Sequence, residues 1–138
     1  MPERGAFVFT LFFAAAVSPM TAAHHGFTNH FHPDRERMIA GSVAEFRFAN
    51  PHVLIWVDVE NDGEVQRWKV EMGGTSGLLS SGRMSGDSLM PGDRIEVVGH
   101  PSRHAVFELR ANRVTLPDGR EITSRNPYEP VPFLQRQE

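Results

Sequence analysis

The strict alternation between His52 and Met72 is the feature that most limits what this chain can become. Val53, Ile55, Val57 and Val59 fall on one face of an extended segment, and His52, Leu54, Trp56 and Asp58 fall on the other. Side chains of a strand point to opposite faces in turn, so a period of two describes a strand with one face on a core. Asn61-Asp62-Gly63 follows, and Asp-Gly tolerates the positive φ angles of a tight hairpin turn. Beyond the turn, Trp68, Val70 and Met72 share a face opposite Arg67, Lys69 and Glu71. Residues 52–72 are therefore expected to form a β-hairpin.

The remaining elements arrange themselves around that hairpin. Met38 to Phe48 reads as a first strand, with Phe46, Arg47 and Phe48 alternating and Gly41 predicting a bulge or sharp bend. Asn50-Pro51 is a turn signal. After Gly73-Gly74, Thr75 or Ser76 is placed to cap a short helix ending near Gly82, with Leu78 and Leu79 plugging a core. Met90-Pro91-Gly92-Asp93 turns into a fourth strand, Arg94 to Gly99, with Ile95 and Val97 inward. A fifth strand runs from about Ala105 to Leu116, with Phe107 and Leu109 on one face. Pro117-Asp118-Gly119-Arg120 is a further turn, and Glu121-Ile122-Thr123 adds a short last strand. Three strands, a short helix and two or three more strands is the order of an OB-fold, a small all-β barrel of five or six strands. Closure also removes the exposed edges of a small open sheet. The alternative is a β-sandwich or meander in which the helical segment is a loop.

The N-terminus sets the expected compartment. Gly5 to Val17 is almost wholly apolar and gives way to Ser18-Pro19-Met20-Thr21-Ala22-Ala23. An apolar run followed by small residues at a cut site reads as a secretory signal peptide. A spanning helix needs about 20 apolar residues, more than this run offers. An uncleaved anchor is the alternative, since Met1-Pro2-Glu3-Arg4 carries one acid and one base. Cleavage after Ala23 would make His24 the first residue of a periplasmic or secreted chain. The expected organisation is then a signal peptide over 1–23, a His-rich extended lead-in over 24–37, a barrel over 38–123 and an extended tail over 124–138.

An exported chain with no cysteine folds without disulfides and holds no thiolate zinc site. Any metal must sit on imidazole, carboxylate, amine or thioether groups. The net charge of −3 lacks the basic excess of a general nucleic-acid binder, so no nucleic-acid partner is expected.

Several short motifs in order carry a family resemblance. They are His24-His25-Gly26-Phe27 after a signal peptide, Asn50-Pro51-His52 before Trp56-Val57-Asp58-Val59, and Trp68-Lys69-Val70-Glu71. The Leu78-Leu79 segment, Leu89-Met90-Pro91-Gly92-Asp93 and Thr115-Leu116-Pro117-Asp118-Gly119-Arg120 complete the series. Together they resemble a family of small exported bacterial proteins of unknown function, over most of residues 24–122. Members typically carry Ser where Gly26 stands. The resemblance implies export and supplies no catalytic residues.

The chemistry on offer is mostly histidine. A free α-amine with the His24 imidazole chelates through two nitrogens, and His25 offers a second mode through the backbone amide. His30 and His32 are two apart and share a face if extended. His52 completes a site if the lead-in folds back on the barrel. Such nitrogen donors suit Cu(II), Ni(II) or Zn(II), with copper favoured by affinity. The competing reading is a flexible tail with solvated histidines. His100 and His104 read as loop residues near the barrel mouth. A ligand face is expected on strands two and three, where Trp56, Arg67 and Lys69 interleave an aromatic with basic groups. Gly73-Gly74-Thr75-Ser76-Gly77 lacks the lysine and spacing of a phosphate loop, and no motif links a serine to a histidine and an acid. The expected function is thus a non-catalytic periplasmic binding or accessory protein, holding copper or a similar ion. The alternative is a module that docks on a periplasmic or membrane protein without metal.

Overall fold

The computed structural model describes residues 26–80 and 83–124. The elements run α1 (Gly26–His30), β1 (Arg37–Arg47), β2 (Leu54–Asn61), β3 (Glu64–Glu71), α2 (Thr75–Ser80), β4 (Arg94–Pro101), β5 (Glu108–Thr115) and β6 (Glu121–Thr123). The hairpin forms as its pattern predicts. Asn61 pairs with Glu64 across a two-residue turn, and Asp62 and Gly63 take φ of 51° and 83°. Val53, Ile55 and Val57 are fully buried, and Trp68, Val70 and Met72 meet them.

The sheet order is β3-β2-β1-β4-β5-β6, and β3 also pairs with β5 in parallel. That extra pairing closes β1 to β5 into an OB-type barrel and leaves β6 as a short addition on β5. The sandwich and meander alternatives do not survive this closure. Residues 69–71 lie beside residues 108–110, with Val70 opposite Leu109 inside the barrel, both fully buried.

β1 must coil to reach both β4 and β2. The irregularity expected at Gly41 lies instead between Val43 and Glu45, where the register shifts. Gly41 is needed for another reason: a Cβ there would run into the Asp58 carbonyl oxygen and crowd Val57 Cγ1 at 2.9 Å. Gly99 plays the matching part in β4, where a Cβ would collide with the Arg110 carbonyl oxygen. A register shift beside it sets Val98 against Arg113 and Gly99 against Ala111, so Asn112 is the extra residue of β5.

Four further expectations are corrected. Residues 26–30 form a helical turn rather than an extended lead-in, because Phe27 and Phe31 pack together and the last carbonyls find a tertiary partner described below. Phe107 precedes β5 and is 40% exposed, its ring set edge-on to Trp68 at the barrel end. Leu78 is buried under α2, whereas Leu79 faces solvent. Ser124 is buried against the barrel, not part of a tail. Its N–H donates to the Asn112 carbonyl, and its Oγ accepts from the Gly73 N–H. The expected signal peptide and residues 125–138 lie outside the described residues. Among the described residues no helix is long and apolar enough to cross a membrane.

These close approaches make a prediction. Gly99→Ala is expected to lower unfolding stability by about 1–3 kcal/mol, as overpacking does. Gly77→Ala, in α2 with nothing within 4 Å of the added methyl, should be neutral or stabilising by up to about 1 kcal/mol. Urea denaturation of the two variants reads the contrast, and equal effects would refute it.

Candidate functional site

The outer face of β2, β3 and β5 carries a ladder of ion pairs. Arg67 grips Asp58 with two parallel bonds, Nε to Oδ1 at 2.8 Å and Nη2 to Oδ2 at 2.9 Å. This bidentate contact holds the Asp58 carboxyl below its ordinary range, against a smaller upward push from burial. Lys69 Nζ donates to Glu108 Oε1 at 2.8 Å. Burial pushes the Glu108 carboxyl up, but hydrogen bonds from Lys69 and Ser102 together with nearby cations outweigh it and bring it down. Glu71 is the busiest acid: Oε1 accepts from Arg110 Nη1 at 2.6 Å and lies 2.8 Å from His52 Nδ1. The same Arg110 nitrogen reaches the Met72 carbonyl at 2.6 Å.

The expected ligand face is therefore already occupied by its own charges. Arg67 and Lys69 each have a carboxylate partner, and Trp56 lies under the Arg47 guanidinium, 5.3 Å from ring centroid to Cζ. A concavity of about 350 Å³ opens beside it, lined by Arg47, Asn50, His52, Lys69 and Glu71 among others. Asn50 forms its rim and precedes a cis Pro51. Asn50 Oδ1 accepts from both the N–H and the hydroxyl of Thr75, which fastens this turn to the start of α2.

The histidines divide between two regions. His52 belongs to the ladder through Glu71. The lead-in, by contrast, lies across β4 and the loop that follows it. Phe31 is buried and bridges to Ser102, and the His32 N–H donates to the Pro101 carbonyl. Phe27 meets the His100 ring edge-on at 5.5 Å. Arg103 is the fastener: its N–H donates to the His30 carbonyl, and its Nε lies 2.9 Å from the Thr28 carbonyl and 3.1 Å from that of Phe31. The open C-terminal carbonyls of α1 thus gain a cationic partner. The flexible-tail reading does not hold for residues 26–32.

His100 is not a solvated loop residue but 5% exposed. Its Nδ1 contacts the Arg35 carbonyl at 2.7 Å, and a carbonyl only accepts, so Nδ1 carries the proton. Nε2 is then the acceptor facing Asn112 Nδ2 at 3.0 Å, while the same amide donates to Glu36 Oε1. His32 sits 4.0 Å from Asp34. Desolvation and the Arg103 and Arg35 guanidinium groups lower its pKa in spite of that acid.

Of the residues singled out in the sequence, His24 and His25 lie outside the described residues. His30, His32 and His52 do not converge: among the described residues no three His, Asp or Glu side chains gather as a metal cage. The side chain that does meet His30 is His104, with ring centroids 5.6 Å apart. No local pattern marks that contact, because it joins residues from opposite ends of the domain.

A closed OB-type barrel with a histidine-bearing segment strapped across β4 thus defines the class of protein. The profile of the family of unknown function DUF6152 matches residues 13–108, and the chain belongs to that family. No curated protein matches it.

Two predictions follow the charges. Glu71→Gln leaves the nearly buried Arg110 without its acid and should cost about 2–4 kcal/mol, whereas His52→Ala, at the exposed end, should cost under about 1 kcal/mol; thermal unfolding separates them. Glu108 has a lowered pKa, so its stabilising contribution is complete above the ordinary carboxylate range and is lost as pH falls through the lowered value. Lys69→Met should therefore move the Glu108 titration to higher pH, read by carboxyl ¹³C shifts. An unmoved titration would contradict the pairing.

Proposed function

We infer that this is an exported, non-catalytic accessory protein that holds a divalent metal ion, copper above all, at its histidine-bearing N-terminal segment. The observation that supports the reading is the docking of residues 26–32 on β4. A segment held by Arg103 and by the buried Phe31 carries its histidines at a defined place. Cleavage after Ala23 would put an α-amine and the imidazoles of His24 and His25 directly before that anchored turn. Preorganised nitrogen donors bind more tightly than donors on a free chain, because less conformational entropy is lost on binding. Copper leads on the general order of affinity for nitrogen donors.

His32 and His52 play other parts in this reading. His32 belongs to the strap, between Asp34 and Arg103, and His52 serves the Glu71–Arg110 pair. A metal at the strap asks nothing of the barrel interior, which is filled by Trp68, Met72 and their neighbours.

The test is calorimetric titration of Cu(II) and Zn(II) into the protein recovered after export, with its first residue read by intact mass. A second form carries one added residue before His24. Sub-micromolar binding by the first form and its loss in the second would support a site built on the terminus. Weak and equal binding by both would overturn it and direct attention to a docked protein partner instead.

A further inference from the structure

We propose that His104 and His30 form a two-imidazole clamp for a borderline divalent cation, Cu(II) or Zn(II), so that the loop after β4 supplies a ligand to the strap. The proposal rests on the metal reading above and names the barrel's own contribution to it.

Four observations carry it. The first is proximity built from both sides. His30 and His104 lie 5.6 Å apart, centroid to centroid, with planes at 75°. Two imidazoles on one tetrahedral ion, with metal–nitrogen bonds of about 2.0–2.1 Å, place their centroids about 5 Å apart. The observed separation is close to that value.

The second is the tautomer of His104. Its Nε2 lies 2.9 Å from the Asn29 carbonyl oxygen. That oxygen only accepts, so Nε2 bears the hydrogen and Nδ1 keeps the lone pair. Metal-bound histidines almost always donate their second ring N–H to a carbonyl or carboxylate, which fixes ring and tautomer. His104 has that arrangement already, with the carbonyl drawn from the residue next to His30.

The third is the rigidity of the backbone on each side. The Arg103 N–H holds the His30 carbonyl, and Ser102 Oγ accepts from the N–H groups of His104 and Ala105. The strap and the loop therefore cannot drift apart independently.

The fourth is availability. Both residues are exposed, so an ion can enter. Among the described residues neither imidazole pairs with a carboxylate, whereas His32 and His52 both do. Arg103, next to His104 in the chain, is turned onto the Thr28 and Phe31 carbonyls.

Zn(II) titration of the exported protein, followed through the ring ¹⁵N signals of all histidines, tests the clamp. Before metal, His104 should show the Nε2–H tautomer. One equivalent of Zn(II) should shift the His30 and His104 rings together, with Nδ1 of His104 moving most. His104→Ala and His104→Phe should each weaken binding at least about tenfold, the lower end of what even an outer partner of a metal ligand is worth. The phenylalanine keeps the ring packing and removes only the nitrogens. His30→Ala should do the same, and His52→Ala should leave the affinity unchanged. Binding that persists in both His104 variants would overturn the clamp. If an added residue before His24 still abolishes that binding, the terminus-built site stands without His104. Absence of binding in every form would remove both.

Discussion

The barrel depends on three residues of parallel pairing. β3 and β5 meet only at Lys69 to Glu71 against Glu108 to Arg110, and without that contact the sheet stays open at two edges. The register places opposite charges directly across from each other. Lys69 faces Glu108 and Glu71 faces Arg110, and both pairs form salt bridges. Between them Val70 and Leu109 point inward and are fully buried. Together these pairs favour one register, since a one-residue slip would turn Leu109 outward and a two-residue slip would set like charges opposite each other. The inner apolar pair supplies the burial. His52 and Met72 extend the same seam, through the Glu71 carboxylate and the Arg110 bond to the Met72 carbonyl.

How far the fold was legible depended on distance along the chain. The β2–β3 hairpin announces itself because alternation and a two-residue Asp-Gly turn are both local. β6 was equally plain, a three-residue strand just beyond a turn. Closure through β3 and β5 was reached only by matching element order to a known barrel layout. The parallel contact joins segments 39 residues apart and leaves no periodic trace. The helical turn at Gly26–His30 was missed because five residues have almost no intrinsic tendency to hold a helix. Its stability comes from Arg103 and from aromatic packing, neither visible nearby.

The candidate site was less legible than the fold for the same reason. Trp56, Arg67 and Lys69 were correctly placed on the outer face. The sequence does not show that Asp58 and Glu108 pair with the two cations. In the sequence Glu71 is one of three charged residues alternating along the third strand, yet it joins a histidine, an arginine and two strands. His104 had no signal beyond being one histidine among seven. Its meaning arises from the carbonyl of Asn29 and the ring of His30, 75 and 74 positions away.

The strap also has a place in time. Its fastener, Arg103, lies 75 residues after Thr28, and a chain made from its N-terminus onward lacks that partner until most of the barrel sequence has been synthesised. Until then the segment around Gly26 has no barrel surface to dock on and stays accessible. Completion of β4 and its loop then withdraws the segment onto the surface of the sheet. The order of synthesis thus separates an early period of access from a late one of protection, with the docking of a single arginine as the boundary.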